Sequence, residues 1–471
     1  MGVNESFEDL AQRAIHHAVA YRKERDTLPP RPTASVQELM SLFDVGVPEV
    51  GRDGVEVLDS LAAAAEPGLV GNISPNFFAW VMGASHPVGV AAEWMATAWG
   101  QNAAIYDTAP AAAVAEDVVS GWLLQLLDLP RGSSVGFSTG ATMASFICLA
   151  AARSEVLRRF DFDLERQGIF AAPEIKAFLG DEAHTTIFSG LRYLGFGDNN
   201  VVRIETDQQG CMVPEALNAA LAEFDGPKIV ICQAGHINSG GFDPIAEIAP
   251  IAQAHNAWCH VDGAFGLWAR AVPSLRHLCE GIDRADSWSV DGHKWLQIPY
   301  DSGFAIVKNK EAHRRTMDIS ASYLNLPPRE APSPSQFSPE LSRRARGFAA
   351  WAVIQALGRS GIEEMISRHC NGARYLLEQL EVEAGLTVIN DVVLNQLAIA
   401  FGEGEPLVER NRLTDAVITE LARENTSYVT GAEWQGQKIL RVSIISQRTD
   451  AVDIDRLGAS IVRAWRKVRK T

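Results

Sequence analysis

Apolar positions fall into two regimes along the 471-residue chain. Over residues 7–25 and 54–66 they recur at the three-to-four spacing of amphipathic helices. Between them Pro29-Pro30-Arg31-Pro32 forces a stop, because proline lacks the donor and clashes with the preceding turn. From about residue 77 to 307 helical stretches alternate with short β-branched runs at 201–204, 228–232, 257–261 and 304–307. That alternation predicts a mostly parallel sheet with helices on both faces. Residues 326–339 hold five of the 22 prolines and predict an exposed loop. Beyond it, a helix over 347–357 leads into strands at 386–389, 396–401 and 439–444, and a last helix covers 453–468. The expected division is a helical N-terminal segment (1–76), a large α/β domain (77–345) and a small α+β domain (346–471). No internal repeat interrupts it.

Composition narrows the partners. The formal net charge of −16 argues against nucleic acid, whose phosphates a chain this acidic repels. Cys148, Cys211, Cys232, Cys259, Cys279 and Cys370 form no CxxC pair, which favours free thiols in a reducing compartment over disulfides or a zinc site. No metal is expected. No apolar run approaches the roughly 18 residues of a membrane span, and no basic start precedes an apolar stretch as in a secretion signal. Met1-Gly2 with Ser6 fits the loose myristoylation pattern, but no second membrane signal accompanies it. A cytoplasmic enzyme is the expectation.

Residues 135–145 read VGFSTGATMAS, a short strand entering a turn of small residues and then a helix over 143–160. Backbone N–H groups at a helix start, the Thr142 hydroxyl and the absence of bulky side chains suit a phosphate dianion. An ordinary capped strand-turn-helix would look the same. The segment also spells G-x-S-x-G around Ser138, the nucleophile elbow of serine hydrolases. The rest of the chain has to decide.

Residues 257–266, AWCHVDGAFG, deliver Asp262 at a strand's carboxyl end, where open α/β sheets bind ligands. A turn-capping aspartate is the bland alternative; a carboxylate fixed against a pyridinium nitrogen is the chemical one. Lys294 follows 32 residues later, flanked by Trp288, Trp295, Leu296 and Ile298, company that predicts a largely buried amine in its neutral form. A lysine snorkelling from an apolar face competes with that reading. His293 precedes it and could reach a phosphate. His184, in Asp181-Glu182-Ala183-His184 after an apolar run, could stack on a cofactor ring or serve merely as a cap.

In this order the segments resemble the group II pyridoxal-phosphate decarboxylases, the aromatic-amino-acid and glutamate decarboxylases among them. The resemblance runs from about residue 72 to 444. DEAH at 181–184, HVDGAFG at 260–266 and DGHKWL at 291–296 carry it, with support from SPNFFAW at 74–80, FDPI at 242–245, ELSRRAR at 340–346 and ILRVSI at 439–444. It implies the fold-type I, aspartate-aminotransferase-like architecture and pyridoxal 5′-phosphate held as a Schiff base on Lys294. By position, Asp262 would meet the ring nitrogen, Ala264 and His184 the two ring faces, and Ala141, Thr142 and His293 the phosphate. Asn238 is assigned to the cofactor as well. Arg441 falls near the substrate carboxylate, and Tyr323 takes the place of a tyrosine that returns a proton after CO₂ leaves. That tyrosine comes from the partner subunit in the family, which implies a homodimer with shared sites.

Three stretches depart from the family pattern. Gly235-His236-Ile237-Asn238 stands where Gly-Thr-Thr is usual, Asp291-Gly292-His293 where Asn-Pro-His is usual, and Trp80-Val81-Met82-Gly83 in the substrate-pocket stretch. The leading expectation is an L-amino-acid decarboxylase for an apolar or aromatic substrate, bound among Trp80, Val81, Met82, His236 and Arg441. Two other outcomes on the same cofactor stay open, oxidative deamination to an aldehyde and β-elimination, with His236 as the residue that suggests them. A serine hydrolase built on Ser138 is the remote alternative, and it has no use for Lys294.

Overall fold

The structure, a computed structural model, describes residues 6–24, 29–319 and 333–470. Helices α1 (Phe7–Glu24), α2 (Val36–Phe43) and α3 (Gly54–Ala65) form the N-terminal segment, followed by α4 (Pro87–Trp99) and α5 (Pro110–Leu126). The hydrophobic pattern did not reveal α2. Its signal is the S-x-x-E box: Glu38 N donates to the Ser35 hydroxyl, and Ser35 N donates back to the Glu38 carboxylate.

The central sheet and its helices follow in the order β1 (Ser134–Ser138), α6 (Ala141–Arg158), α7 (Leu164–Gln167), β2 (Lys176–Gly180), α8 (Thr185–Tyr193), β3 (Val201–Ile204), α9 (Pro214–Ala222), β4 (Lys228–Gln233), α10 (Ile245–Ala254), β5 (Trp258–Asp262), β6 (Ser287–Asp291), β7 (Gly303–Val307) and α11 (Lys310–Met317). The strand order is β1-β7-β6-β5-β4-β2-β3, with β7 antiparallel to both neighbours and the other pairs parallel. This is the expected mostly parallel sheet. Helix α6 lies against its middle strands and is buried nearly all round; its run of small residues (Ala144, Ala150, Ala151, Ala152) permits that close seat.

Strand β6 was not legible as a strand, because serines alternate with apolar residues although every position is buried. The serines are satisfied internally: Ser287 Oγ accepts from Trp258 Nε1 at 2.9 Å, and Ser289 Oγ accepts from Ser145 Oγ at 2.9 Å. The proline-rich stretch also differs from expectation. Residues 320–332 lie outside the described residues, but Pro334, Ser335, Phe337 and Ser338 are buried rather than exposed. The Phe337 carbonyl accepts from His313 Nε2 at 3.1 Å, which ties the stretch to α11.

The small sheet, order β10-β11-β9-β8, is antiparallel. It is built from α12 (Arg346–Leu380), β8 (Leu386–Val388), β9 (Gln396–Phe401), α13 (Leu407–Glu424), β10 (Thr430–Trp434), β11 (Gln437–Ser443) and α14 (Ala451–Val468). Helix α12 breaks at Gly358 (φ +62°), next to the sequence-read stop at 357. Residues on both sides of the break, Ala349, Ala350, Val353, Ile354, Ile362 and Ile366, join the large core, and the last turns join the small core through Ala373, Leu376 and Leu380. Among the described residues no helix is long and apolar enough to cross a membrane, and no group of three or more His, Cys, Asp or Glu is placed to hold a metal.

Candidate active site

A cavity of about 580 Å³ opens at the carboxyl edge of the sheet, between the large domain and the β10–β11 hairpin. Strand β5 ends on Asp262, in register with Gln233 of β4 and Ser289 of β6. Its carboxylate is buried and accepts from Ala264 N at 3.2 Å and from Ser289 Oγ at 3.5 Å. Ser145 Oγ of α6 donates in turn to Ser289, so three elements fix the orientation of Asp262. Burial pushes this carboxyl above its ordinary range, against the pull of His184 and Lys294.

Lys294 follows β6 and lines the cavity, its side chain 20% exposed. It does not stand alone in an apolar pocket as its sequence neighbours implied. Its Nζ is 3.0 Å from Asp291 Oδ2 and lies 5.6 Å from the Phe265 ring centroid. The stretch holding Trp80, Val81 and Met82 reaches this lysine because of Gly83. A Cβ there would sit 2.2 Å from the His293 carbonyl and 2.4 Å from that of Lys294. Gln297, fully buried, completes the joint: its Oε1 accepts from Ala84 N at 2.6 Å while its Nε2 donates to the Lys294 and Ile445 carbonyls.

His184 is the N-cap of α8. Its Nδ1 lies 2.7 Å from Thr186 Oγ1 and 3.4 Å from Thr186 N, and burial depresses its basicity. Asp262 opposes that shift, and the ring lines the cavity. Arg441 of β11 reaches the same cavity. Its Nη1 donates to Asn238 Oδ1 at 3.2 Å, its Nε has no hydrogen-bond partner, and it makes no ion pair among the described residues. A buried guanidinium without a counter-anion is a receptor for a carboxylate.

His236 lines the wall, but both of its nitrogens are engaged. Nδ1 lies 3.1 Å from Ser239 Oγ and 3.3 Å from Ser239 N, and Nε2 lies 3.2 Å from Glu182 Oε2. Trp434 Nε1 of the hairpin donates to the same oxygen at 2.5 Å. Burial works to raise the Glu182 carboxyl, yet these two donors outweigh it and hold it below its ordinary value. Glu182, Gln297, Tyr300 and Trp434 were missed as site residues, and only Glu182 carried a signal, its place in DEAH.

At the opposite end, α6 starts at Ala141 behind Gly140, which has no side chain to cap it; Ala141 N donates to Asp291 Oδ1 at 2.5 Å, and Thr142 is exposed. Nearby, His293 Nδ1 and Ser302 Oγ are buried without hydrogen-bond partners, and burial lowers the His293 pKa. A helix start beside buried polar atoms that lack partners is what a phosphate completes. A lysine and a buried carboxylate at the sheet edge fit the rest of pyridoxal phosphate. Ser138 offers nothing comparable, since it is fully buried and its hydroxyl donates to the Gly140 carbonyl at 3.1 Å. Tyr323 lies outside the described residues.

Residues 37–401 match the model of the pyridoxal-dependent decarboxylase conserved domain. The chain belongs to this family. It is 25% identical to the aromatic-L-amino-acid decarboxylase of Bacillus atrophaeus, over 94% of this chain and 92% of that one. Identity to tryptophan decarboxylase 1 of Oryza sativa subsp. japonica is also 25%, covering 100% and 96%. The crystal structure of 4-hydroxyphenylacetaldehyde synthase from Rhodiola rosea superposes with a TM-score of 0.88 at 23% identity, covering 99% of both chains. That of the Oryza sativa TDC with PLP and tryptamine gives 0.90 at 21%, with the same coverage. The fold is thus that of the pyridoxal-phosphate decarboxylases, as the sequence implied, and this protein is a pyridoxal-phosphate-dependent decarboxylase.

Proposed function

We propose that the enzyme decarboxylates an aromatic L-amino acid to its amine, working from Lys294, His184 and Arg441 around one cavity, with Asp262 buried beside them. That convergence carries the reading: an amine, an imidazole and a guanidinium without an ion pair line the cavity, and a buried carboxylate ends β5 beside them. When bound, the cofactor supplies the electron sink for the pair left on Cα as CO₂ departs. Lys294 would hold it, Asp262 would face its ring nitrogen, and Ala141, Thr142 and His293 would hold its phosphate. Arg441 orients the substrate carboxylate, and His184 Nε2 offers it a hydrogen bond. Trp80, Val81, Met82 and Ile237 give the substrate side chain an apolar wall. The names of two of the relatives, an aromatic-L-amino-acid decarboxylase and a tryptophan decarboxylase, support that substrate class, while other relatives of similar identity are acidic amino acid decarboxylases. Tyr323 is assigned the return of the proton to Cα, by its place in the family pattern.

The engagement of His236 favours amine formation over the aldehyde and elimination outcomes. Its ring is a strut between Ser239 and Glu182 and has no free nitrogen for the reacting atoms. The decisive measurement is a product assay on a panel of aromatic and aliphatic L-amino acids, scoring amine and CO₂ against aldehyde, ammonia and peroxide. Amine from an aromatic substrate is expected. Aldehyde with ammonia as the main product would overturn this reading while leaving the family unchanged.

We further propose a homodimer, because Val36, Met40, Phe43, Trp94, Met95 and Trp99 are exposed on α2 and α4, more apolar surface than water tolerates comfortably. Mixing Lys294→Ala protein with Tyr323→Phe protein tests it: hybrid dimers with shared sites should regain activity, and a monomer in sedimentation would refute it. The unpaired cysteines suit the cytoplasm.

A further inference from the structure

Asp291 sits among the groups proposed above to hold the cofactor phosphate. The carboxylate is buried, and its Oδ1 accepts from Ala141 N, the first N–H of α6, at 2.5 Å. The same oxygen is 3.4 Å from His293 Nε2, and Oδ2 is 3.0 Å from Lys294 Nζ. Gly140 makes room for it, since a Cβ there would stand 3.3 Å from Oδ1 and 3.0 Å from His293 Cε1. The backbone leaves it little freedom: Asp291 N donates to the Ala264 carbonyl at 2.9 Å, and the Asp291 carbonyl accepts from Trp268 Nε1 at 3.0 Å. Ala141 N and His293, two of the groups assigned to the phosphate, are thus turned to a fixed anion.

With the phosphate held at the start of α6 as proposed above, we infer that Asp291 is a rival anion at that end of the site and sets the grip on the phosphate. A phosphate ester carries between one and two negative charges near neutral pH. Beside a buried carboxylate each of those charges is repelled, and the two anions compete for the Ala141 N–H. An amide at this position would keep the acceptor oxygen for Ala141 and lose the charge. Asp291 therefore lowers the preference for the phosphorylated cofactor over the same aldehyde without phosphate, and makes the cofactor more readily exchanged.

The test uses enzyme stripped of cofactor and compares equilibrium binding of pyridoxal 5′-phosphate and of pyridoxal, read from the new absorbance band and tryptophan quenching. The ratio of the two affinities isolates the phosphate end, because any effect of Asp291 on Lys294 acts on both ligands. Asp291→Asn is expected to raise that ratio about tenfold or more, the scale of one partly screened charge interaction. Asp291→Ser should move it in the same direction, so a folding failure of one variant leaves the other. Inorganic phosphate should raise the melting temperature of stripped Asp291→Asn protein more than that of the stripped wild type. Ala141→Asp, which adds a carboxylate at the helix start, should lower the ratio. If Ala141→Asp lowers it while both Asp291 variants leave it at the wild-type value, the phosphate site stands and the rivalry of Asp291 is overturned. If Ala141→Asp also leaves it unchanged, the phosphate lies elsewhere, and the placement and the inference fall together.

Discussion

At Asp262 two demands meet, and the residue satisfies both only through its neighbours. Burial favours its neutral form, whereas a protonated ring nitrogen needs a carboxylate; His184 and Lys294 work towards the charged form. Asp262→Asn keeps the size and the oxygen that Ala264 N reaches, so cofactor should stay bound. Turnover should fall roughly 10²–10³-fold, the scale of losing one preorganised electrostatic partner. Absorbance of bound cofactor and kcat on one preparation separate the two, and near-normal kcat would make Asp262 structural. At this scale the sequence disclosed residue types and order: Asp262, Lys294, His184 and Arg441 stand out by chemistry and family position. Their partners did not. Gln297 contacts Ala84 and Ile445, 213 and 148 residues away along the chain, and no local pattern encodes such a pairing.

Between elements, the site depends on how closely strand β7 approaches helix α6. A Cβ on Gly303 would fall 2.4 Å from the Gly140 Cα and carbonyl carbon, so no other residue lets β7 begin against the helix start. Gly303→Ala should force them apart at a cost of about 1–3 kcal/mol, the usual range for overpacking. Because the helix start is the proposed phosphate seat, cofactor retention on dialysis should drop about tenfold or more. Lys294 is untouched, so borohydride should still fix cofactor supplied in excess. Retention equal to wild type would show that the helix start does not hold the phosphate. The glycines were visible in the sequence; that two of them face each other across separate elements was not. The serine-rich β6 was illegible for a related reason, since polar side chains reveal burial only once their partners on β5 and α6 are known.

Across the whole molecule, acid should be damaging because of histidines far from the chemistry. His260, His313 and His369 are fully buried, and desolvation brings each down to about 3 from an ordinary 6.5. His369 of α12 ties together the segments after β6 and β11, accepting from Trp295 Nε1 at 3.1 Å and donating to the Ser446 carbonyl at 2.9 Å. Between pH 6.5 and 3 the unfolded chain binds protons on these rings that the folded chain refuses, so stability falls as pH drops. Asp243, raised to about 6 by burial, acts with the opposite sign between pH 6 and 3.8. Three protons against one leave a net of about two near pH 5, or about 3 kcal/mol per pH unit. Other buried groups pull both ways: His184 and His293 add to the loss, Glu116 and Asp286 offset it. Urea midpoints of borohydride-fixed enzyme at pH 7.5 and 5.5 should show a clear drop, whereas equal midpoints would mean that these rings titrate normally.

By itself the sequence determined the alternation of strands and helices, the carboxyl-edge placement of Asp262 and the family, because each is written in local periodicity or in short ordered motifs. Only the tertiary structure decided that Lys294 pairs with Asp291, that His236 is a strut rather than a free imidazole, and that Pro334, Ser335, Phe337 and Ser338 are buried beside α11. Those outcomes depend on which groups meet across the fold. A side chain's chemistry is fixed by its own identity, but the charge it carries and the bond it makes are fixed by neighbours that the chain brings from elsewhere.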